Sequence, residues 1–205
     1  MKLKLHVLVL ATPLVAILPA AAQRRPTVPG PRLARSFHDT RYGVTFQLPA
    51  EWDLTRRDRE VSTFALDARS AGKLTQLRAV ANINFNPYPQ STFSGALFYF
   101  SVTPRIPAED CAHQASAKSS QPVVSMTLAG APFIHGYDEH GGICTESRDE
   151  IYTTTRNGAC YRFDLVINNF CGGEVSGVRD ISAKELENVR HRLEGILGTV
   201  VFDKP

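Results

Sequence analysis

The stretch TTTRNGACYRFDLVIN, centred on Asn157-Gly158, constrains this chain more than any other. Asn-Gly suits a two-residue type I′ turn, where both positions take positive φ, and here it joins two runs rich in β-formers. An antiparallel hairpin is expected, with Arg156 facing Ala159. Counting outward one residue at a time along both arms brings Cys144 opposite Cys171. Directly opposed residues have Cα atoms roughly 4.5–5.5 Å apart, within disulfide reach. The register therefore predicts a Cys144–Cys171 bridge if no bulge intervenes, which leaves Cys111 to pair with Cys160.

The amino-terminal sequence points to a compartment where such bridges form. MKLKLHVLVLATPLVAILPAAAQ has a basic start, an apolar run interrupted by Pro13 and Pro19, and Ala20-Ala21-Ala22 before Gln23. It reads as a secretory signal over residues 1–22, cleaved to leave a secreted or periplasmic chain with no transmembrane helix. An even number of cysteines in an exported chain suggests disulfides. Without a C-x-x-C pair, a zinc ribbon or thioredoxin-type site is disfavoured.

Residues 23–36, QRRPTVPGPRLARS, lack an apolar period and read as a flexible Pro/Arg-rich arm. Arg24, Arg25, Arg32 and Arg35 offer weak contact with an anionic envelope surface. Residues 37–205 are then one domain. The formal charge is +3, and of 23 basic residues Lys2 and Lys4 fall in the signal, which leaves 21 against 20 acidic ones. So balanced a chain, without a nucleic-acid motif, gives no support for nucleic-acid binding.

Tyr42, Val44, Phe46 and Leu48 alternate with Gly43, Thr45 and Gln47, as in a half-buried strand ended by Pro49. Trp52 follows, and residues 61–66 are expected to return as a second strand. Leu77, Ala79, Ala81, Ile83 and Phe85 alternate again before NPYPQS breaks the chain. Residues 95–102, GALFYFSV, are apolar on both parities, which suits a central strand covered on both faces. Residues 108–118 resemble a short helix with early acids and a late lysine. At the C-terminus, Ser182 and Glu185 form a capping box, and Ile181 with Leu186 a hydrophobic staple. Leu186, Val189, Leu193, Ile196 and Leu197 make one stripe, Gly198 stops the helix, and TVVF follows as a final strand.

The most suggestive chemistry is HGYDEHGG, residues 135–142. It reads as the end of a hairpin: APFIHGYDE enters Gly141-Gly142 and ICTESRDEIYTTT leaves it. In a strand His135 and His140 point to opposite faces, whereas Asp138 and His140 share one. Two ligands are too few for zinc, so Asp138 and His140 are weak metal candidates and a solvated turn is the preferred reading. Asp149-Glu150 and Asp138-Glu139 point apart. Cys111 with His113 is read as a disulfide half beside an ordinary histidine rather than a thiol and its base. Tyr42, Trp52, Tyr88, Phe93 and Tyr99 are weak candidates for lining a ligand groove, although aromatics more often anchor cores. No nucleophile elbow, H-E-x-x-H, P-loop or dinucleotide fingerprint occurs, so no catalytic residue and no cofactor are assigned.

YGVTFQLPAEW resembles the opening of the PsbP-like superfamily, and TLAGAPFIHGYD, NGACYRFDLVI and the closing helix with ILGTVVF follow in similar order. The resemblance spans roughly residues 37–202 and implies an α+β fold, an antiparallel sheet sandwiched between helices. It also implies an adaptor or binder rather than an enzyme. The expected function is an exported binding or accessory module for an unknown protein or small ligand. The alternative is a secreted hydrolase whose site assembles from His113, His135, Asp138 and His140.

Overall fold

Asn157 and Gly158 have φ of 49° and 70°, the two positive values that a type I′ turn needs. The turn joins strands of 12 residues, Thr145–Arg156 (β8) and Ala159–Phe170 (β9). Their pairing runs from Arg156↔Ala159 to Thr145↔Phe170 without a bulge. The computed structural model describes residues 35–56, 64–170, 172 and 177–204. Cys171 and the predicted signal and arm up to residue 34, including Arg24, Arg25 and Arg32, lie outside the described residues. Residues 31–205 form one compact unit.

β8 and β9 sit inside a seven-stranded antiparallel sheet. Its other strands are β3 (Trp52–Thr55), β4 (Gln76–Ile83), β5 (Phe93–Pro104), β6 (Val124–Leu128) and β7 (Ala131–Gly142). The order is β3-β4-β5-β9-β8-β7-β6. β5, read from the sequence as covered on both faces, pairs with β4 and β9 and is buried along nearly its whole length. β1 (Arg35–Asp39), β2 (Val44–Leu48) and β10 (Val201–Phe202) form a separate three-stranded sheet.

One face of the large sheet is apolar. Phe98, Phe100, Phe163, Tyr161, Leu165 and Trp52 pack there against Phe37, Phe46 and Leu48 of the small sheet. They also meet the stripe Val189, Leu193, Ile196 and Leu197 of helix α3 (Ala183–Leu197). Each such side chain contributes about 1.5–3 kcal/mol by leaving water. The predicted capping box holds α3 at its start, with Ser182 Oγ accepting from Glu185 N–H and the Glu185 carboxylate accepting from Ser182 N–H.

The opposite face is covered by helix α1 (Phe64–Asp67) with the segment after it, and by helix α2 (Ala108–Ser116). The Cys111–Cys160 disulfide ties α2 to β9. Gly136 of β7 lets α2 approach closely: a Cβ there would lie 1.9 Å from the Ala115 carbonyl oxygen. Cys144 is also disulfide-bonded. The register predicted for its bridge to Cys171 holds as far as Thr145↔Phe170, the last described pair before it.

Several expectations need correction. The strand expected over residues 61–66 is not one: Phe64–Asp67 is a helical turn, which aims Phe64 at Tyr99 and lets Asp67 accept from Tyr99 Oη, and residues 61–63 lie outside the described residues. β1 starts inside the expected arm, because RSFHD pairs with β2 and buries Phe37 and Asp39; Arg35 is thus a strand residue, 3.8 Å from Asp53. Asp39 ends that strand by capping the turn to β2, accepting from Arg41 N–H and Tyr42 N–H. Burial alone would raise its carboxyl pKa, but the Arg78 hydrogen bond and those N–H groups outweigh it and hold the carboxyl below its usual range. The β7–β8 turn is Ile143-Cys144, with Cys144 at φ 63°, while Gly141 and Gly142 still pair with β8. The closing strand is reduced to Val201–Phe202.

Candidate functional site

The period-2 rule places alternate residues of the central strands on the face beneath α1 and α2, and there polar residues stand beside a smaller apolar cluster. β9 contributes Arg162 and Asp164, β8 Asp149, β7 Asp138 and His140, and β5 Tyr99. Arg162, Asp149 and Asp164 are fully buried and Asp138 nearly so. The stretch 135–142 is therefore not a solvated turn: half of it lies along a covered sheet face.

The polar groups are joined across strands. Arg162 Nε donates to both Asp164 oxygens at 2.8 and 3.0 Å, Nη1 donates to Ser70 Oγ at 3.0 Å, and Nη2 lies 3.8 Å from Asp149 Oδ2. Arg69 grips Asp138 with two guanidinium nitrogens, Nε at 2.9 Å. His140 Nδ1 lies 3.3 Å from the same carboxylate, and His140 Nε2 donates to the Leu66 carbonyl at 3.1 Å. Since a carbonyl only accepts, Nε2 carries a proton. Tyr99 Oη donates to Asp67 at 2.6 Å. Neither carboxylate oxygen of Asp149 accepts a hydrogen bond from a described donor, and the group faces the Asp164 carboxylate. Burial, and next the Asp164 charge, push its carboxyl well above the usual range against the pull of Arg162. A protonated Asp149 leaves Arg162 matched to Asp164 and Arg69 to Asp138.

Where the segment 64–69 passes the β7–β8 hairpin, a half-open groove of about 580 Å³ remains. Leu66, Asp67 and Arg69 form one wall, and His140, Gly141 and Gly142 lie opposite. Glu146, Ser147, Asn168 and Asn169 close its end, cross-linked by Ser147 Oγ to Asn168 and by Asn169 Nδ2 to Glu146. The wall is tied to the floor by the Arg69–Asp138 and Leu66–His140 contacts, so the buried ionic cluster holds the groove's shape. Gly141 is needed there, because a Cβ would fall 2.3 Å from the Thr145 carbonyl oxygen.

The residues singled out from the sequence distribute unevenly. Asp138 and His140 do share a face, but Arg69 takes both oxygens of the carboxylate, and no cluster of three metal-ligating side chains occurs among the described residues. His135 lies on the other face, stacked on Tyr152 at 4.4 Å and 2.6 Å from Glu150. His113 is exposed on α2. The four residues of the hydrolase alternative are thus not brought together. Asp149 and Glu150 do point apart as expected. Tyr42, Trp52, Tyr88 and Tyr99 do not converge either. Trp52 is in the apolar core and Tyr99 under α1, while Tyr42 packs edge-on to Tyr161 and Tyr88 edge-on to Phe93. The groove residues Asp67, Arg69, Ser147, Asn168 and Asn169 went unnoticed. Only the odd polar residues inside the apolar run of β9 signalled them.

Fold and site together define an α+β sandwich with a ligand-sized groove at one end of its sheet, mostly apolar in its accessible lining with polar groups at its rim. No family model matches the chain, and no curated protein matches it. Among solved structures it is similar to cyanobacterial PsbP (CyanoP) from Synechocystis sp. PCC 6803, at 12% identity over 85% of this chain and 95% of that one, TM-score 0.46. It is also similar to LpqN of Mycobacterium tuberculosis, described as involved in cell envelope biogenesis, at 10% identity over 84% and 91%, TM-score 0.44. A third similarity is to a protein of Bacteroides thetaiotaomicron VPI-5482, at 12% identity over 79% of this chain, TM-score 0.42. The match spans about half of that protein, 46%. No helix among the described residues is long and apolar enough to cross a membrane.

Proposed function

We propose that this protein is an exported binding module that seats a small ligand with an apolar body and a few polar groups in the groove between Leu66–Arg69 and the β7–β8 hairpin. The groove itself carries the reading: its volume suits a small molecule, its accessible lining is mostly apolar, and a few amide, hydroxyl, carboxylate and imidazole groups are placed around it. Export is supported by the signal-like first 22 residues and by the Cys111–Cys160 bridge, a feature of oxidising compartments.

The test exploits Gly142, which lines the groove and has room for a side chain, the nearest atom to an added Cβ being Thr145 Oγ1 at 3.7 Å. The exported protein is screened by thermal shift against small amphipathic metabolites, and native mass spectrometry detects any that co-purify. A true ligand at a hundredfold excess over Kd stabilises by about 2.7 kcal/mol. For a chain of this size that raises Tm by roughly 5–10 °C. Gly142→Trp should abolish the shift while keeping the unliganded Tm. Equal shifts in both proteins, or neither a shift nor a bound molecule in the native one, would refute the proposal.

A further inference from the structure

The seven-stranded sheet ends on one side at β6, whose outer edge pairs with no strand among the described residues. Val123, Val124 and Met126 are exposed there, at 42%, 50% and 37%. Edge strands are ordinarily protected by charge, proline or a bulge within the strand. β3, at the opposite end, carries Asp53 between Glu51 and Arg56, and β1 carries Arg35, His38 and Asp39. β6 reads Val-Ser-Met-Thr-Leu, pairs with β7 without a register shift, and lies in a stretch, residues 119–134, with no charged residue.

The strand is also complementary to itself. Val124, Met126 and Leu128 pair with His135, Phe133 and Ala131, which puts all three on the apolar face of the sheet, while Ser125 and Thr127 point to the other. An antiparallel copy centred on Met126 sets Val124 against the partner's Leu128 and Met126 against the partner's Met126. On the other face Ser125 meets the partner's Thr127. Apolar meets apolar and hydroxyl meets hydroxyl, and the apolar row continues the layer that already contains Phe133 and Leu128. A slip of one residue would oppose Val124 to a threonine and lose this match.

We propose that β6 is a homodimerisation edge: two copies pair through β6 about a two-fold axis at Met126 and join their sheets into one. Backbone hydrogen bonds supply the attraction and the Val-Met-Leu row sets the register. The contact is one five-residue strand, which places the area below the 1,200 Å² of stable complexes, so the dimer is weak, with Kd on the order of 10–100 μM.

Sedimentation equilibrium of the purified exported protein from about 1 μM to 1 mM tests this. The weight-average mass should rise from one chain towards two. Met126→Lys brings two introduced lysines face to face at the axis and should weaken association at least tenfold with circular dichroism and Tm unchanged. Leu74→Lys, at another exposed apolar residue, should leave it intact. Independently, Met126→Cys should form an intermolecular disulfide at high concentration and Ser125→Cys should not. A chain that stays monomeric to 1 mM overturns the proposal. So does a dimer indifferent to Met126→Lys, or one in which the cysteine at position 126 fails to cross-link. This test is independent of the groove, and Gly142→Trp should not change the mass.

Discussion

Arg162 is the point at which the polar layer can be tested quantitatively. It is fully buried, and it supplies the charged hydrogen bonds to Asp164 in the network above. Arg162→Met keeps the length of the side chain but leaves Asp164 as a buried carboxylate with no cation in contact, because Arg69 is committed to Asp138. Removing one partner of a buried pair costs about 3–5 kcal/mol, more than the pair's net contribution, because the abandoned charge stays out of water. With a urea m-value of about 2 kcal/mol/M, the unfolding midpoint should fall by about 2 M. Arg162→Met combined with Asp164→Leu leaves no charge stranded and should recover most of the loss, giving a coupling of at least 2 kcal/mol between the two sites. Urea unfolding of the four proteins with disulfides intact measures this. A single-variant cost below about 1 kcal/mol, or a double variant as unstable as the two costs added, would refute the account of the buried cluster.

Three further outcomes follow from the same geometry. Replacing Cys111 and Cys160 together by Ala opens a loop of sequence separation 49 and should cost about 4 kcal/mol on the chain-entropy estimate, read by comparing denaturation midpoints. The Asp149 carboxyl is raised in the folded state, so its stabilising contribution is full below the unfolded carboxyl pKa and is lost as pH rises through the folded value. Asp149→Asn should therefore gain stability relative to the native protein as pH rises above the ordinary carboxyl pKa of about 3.9, and a gap that closes with rising pH would contradict the protonated assignment. Gly136→Ala drives a Cβ into the Ala115 carbonyl oxygen, and a loss of about 1–3 kcal/mol in thermal unfolding should accompany displacement of α2.

Local signals explain the parts of the fold that the sequence made legible. Asn157-Gly158 specifies its own turn, and an unbulged ladder propagates that register to Thr145↔Phe170. Ser182, Glu185 and the Leu186-to-Leu197 stripe define α3 within a few turns of chain. β1 and β6 are hard to read locally because both are only five residues long: RSFHD carries charges and buries only Phe37 and Asp39, and VSMTL alternates but is almost wholly exposed. Both are strands because a longer neighbour supplies their hydrogen bonds.

The groove was less legible than the fold, since its members come from four separate stretches and none is distinctive alone. Asp138 and His140 were correctly placed on one face by parity, a rule internal to a single strand. That Arg69 would lie over them depends on how the segment after α1 crosses the sheet, which no local spacing encodes. What this sequence determined by itself are the features set within a few residues: turns, caps, strand parity, the hairpin register and the even set of cysteines. Tertiary structure alone decided that one sheet face would bury a polar cluster, that Arg162 would neutralise Asp164 there, and that a groove would remain beside it. The physical reason is that charge compensation and cavity shape depend on distances between strands far apart in the chain, whereas hydrogen-bonded local geometry depends only on neighbours.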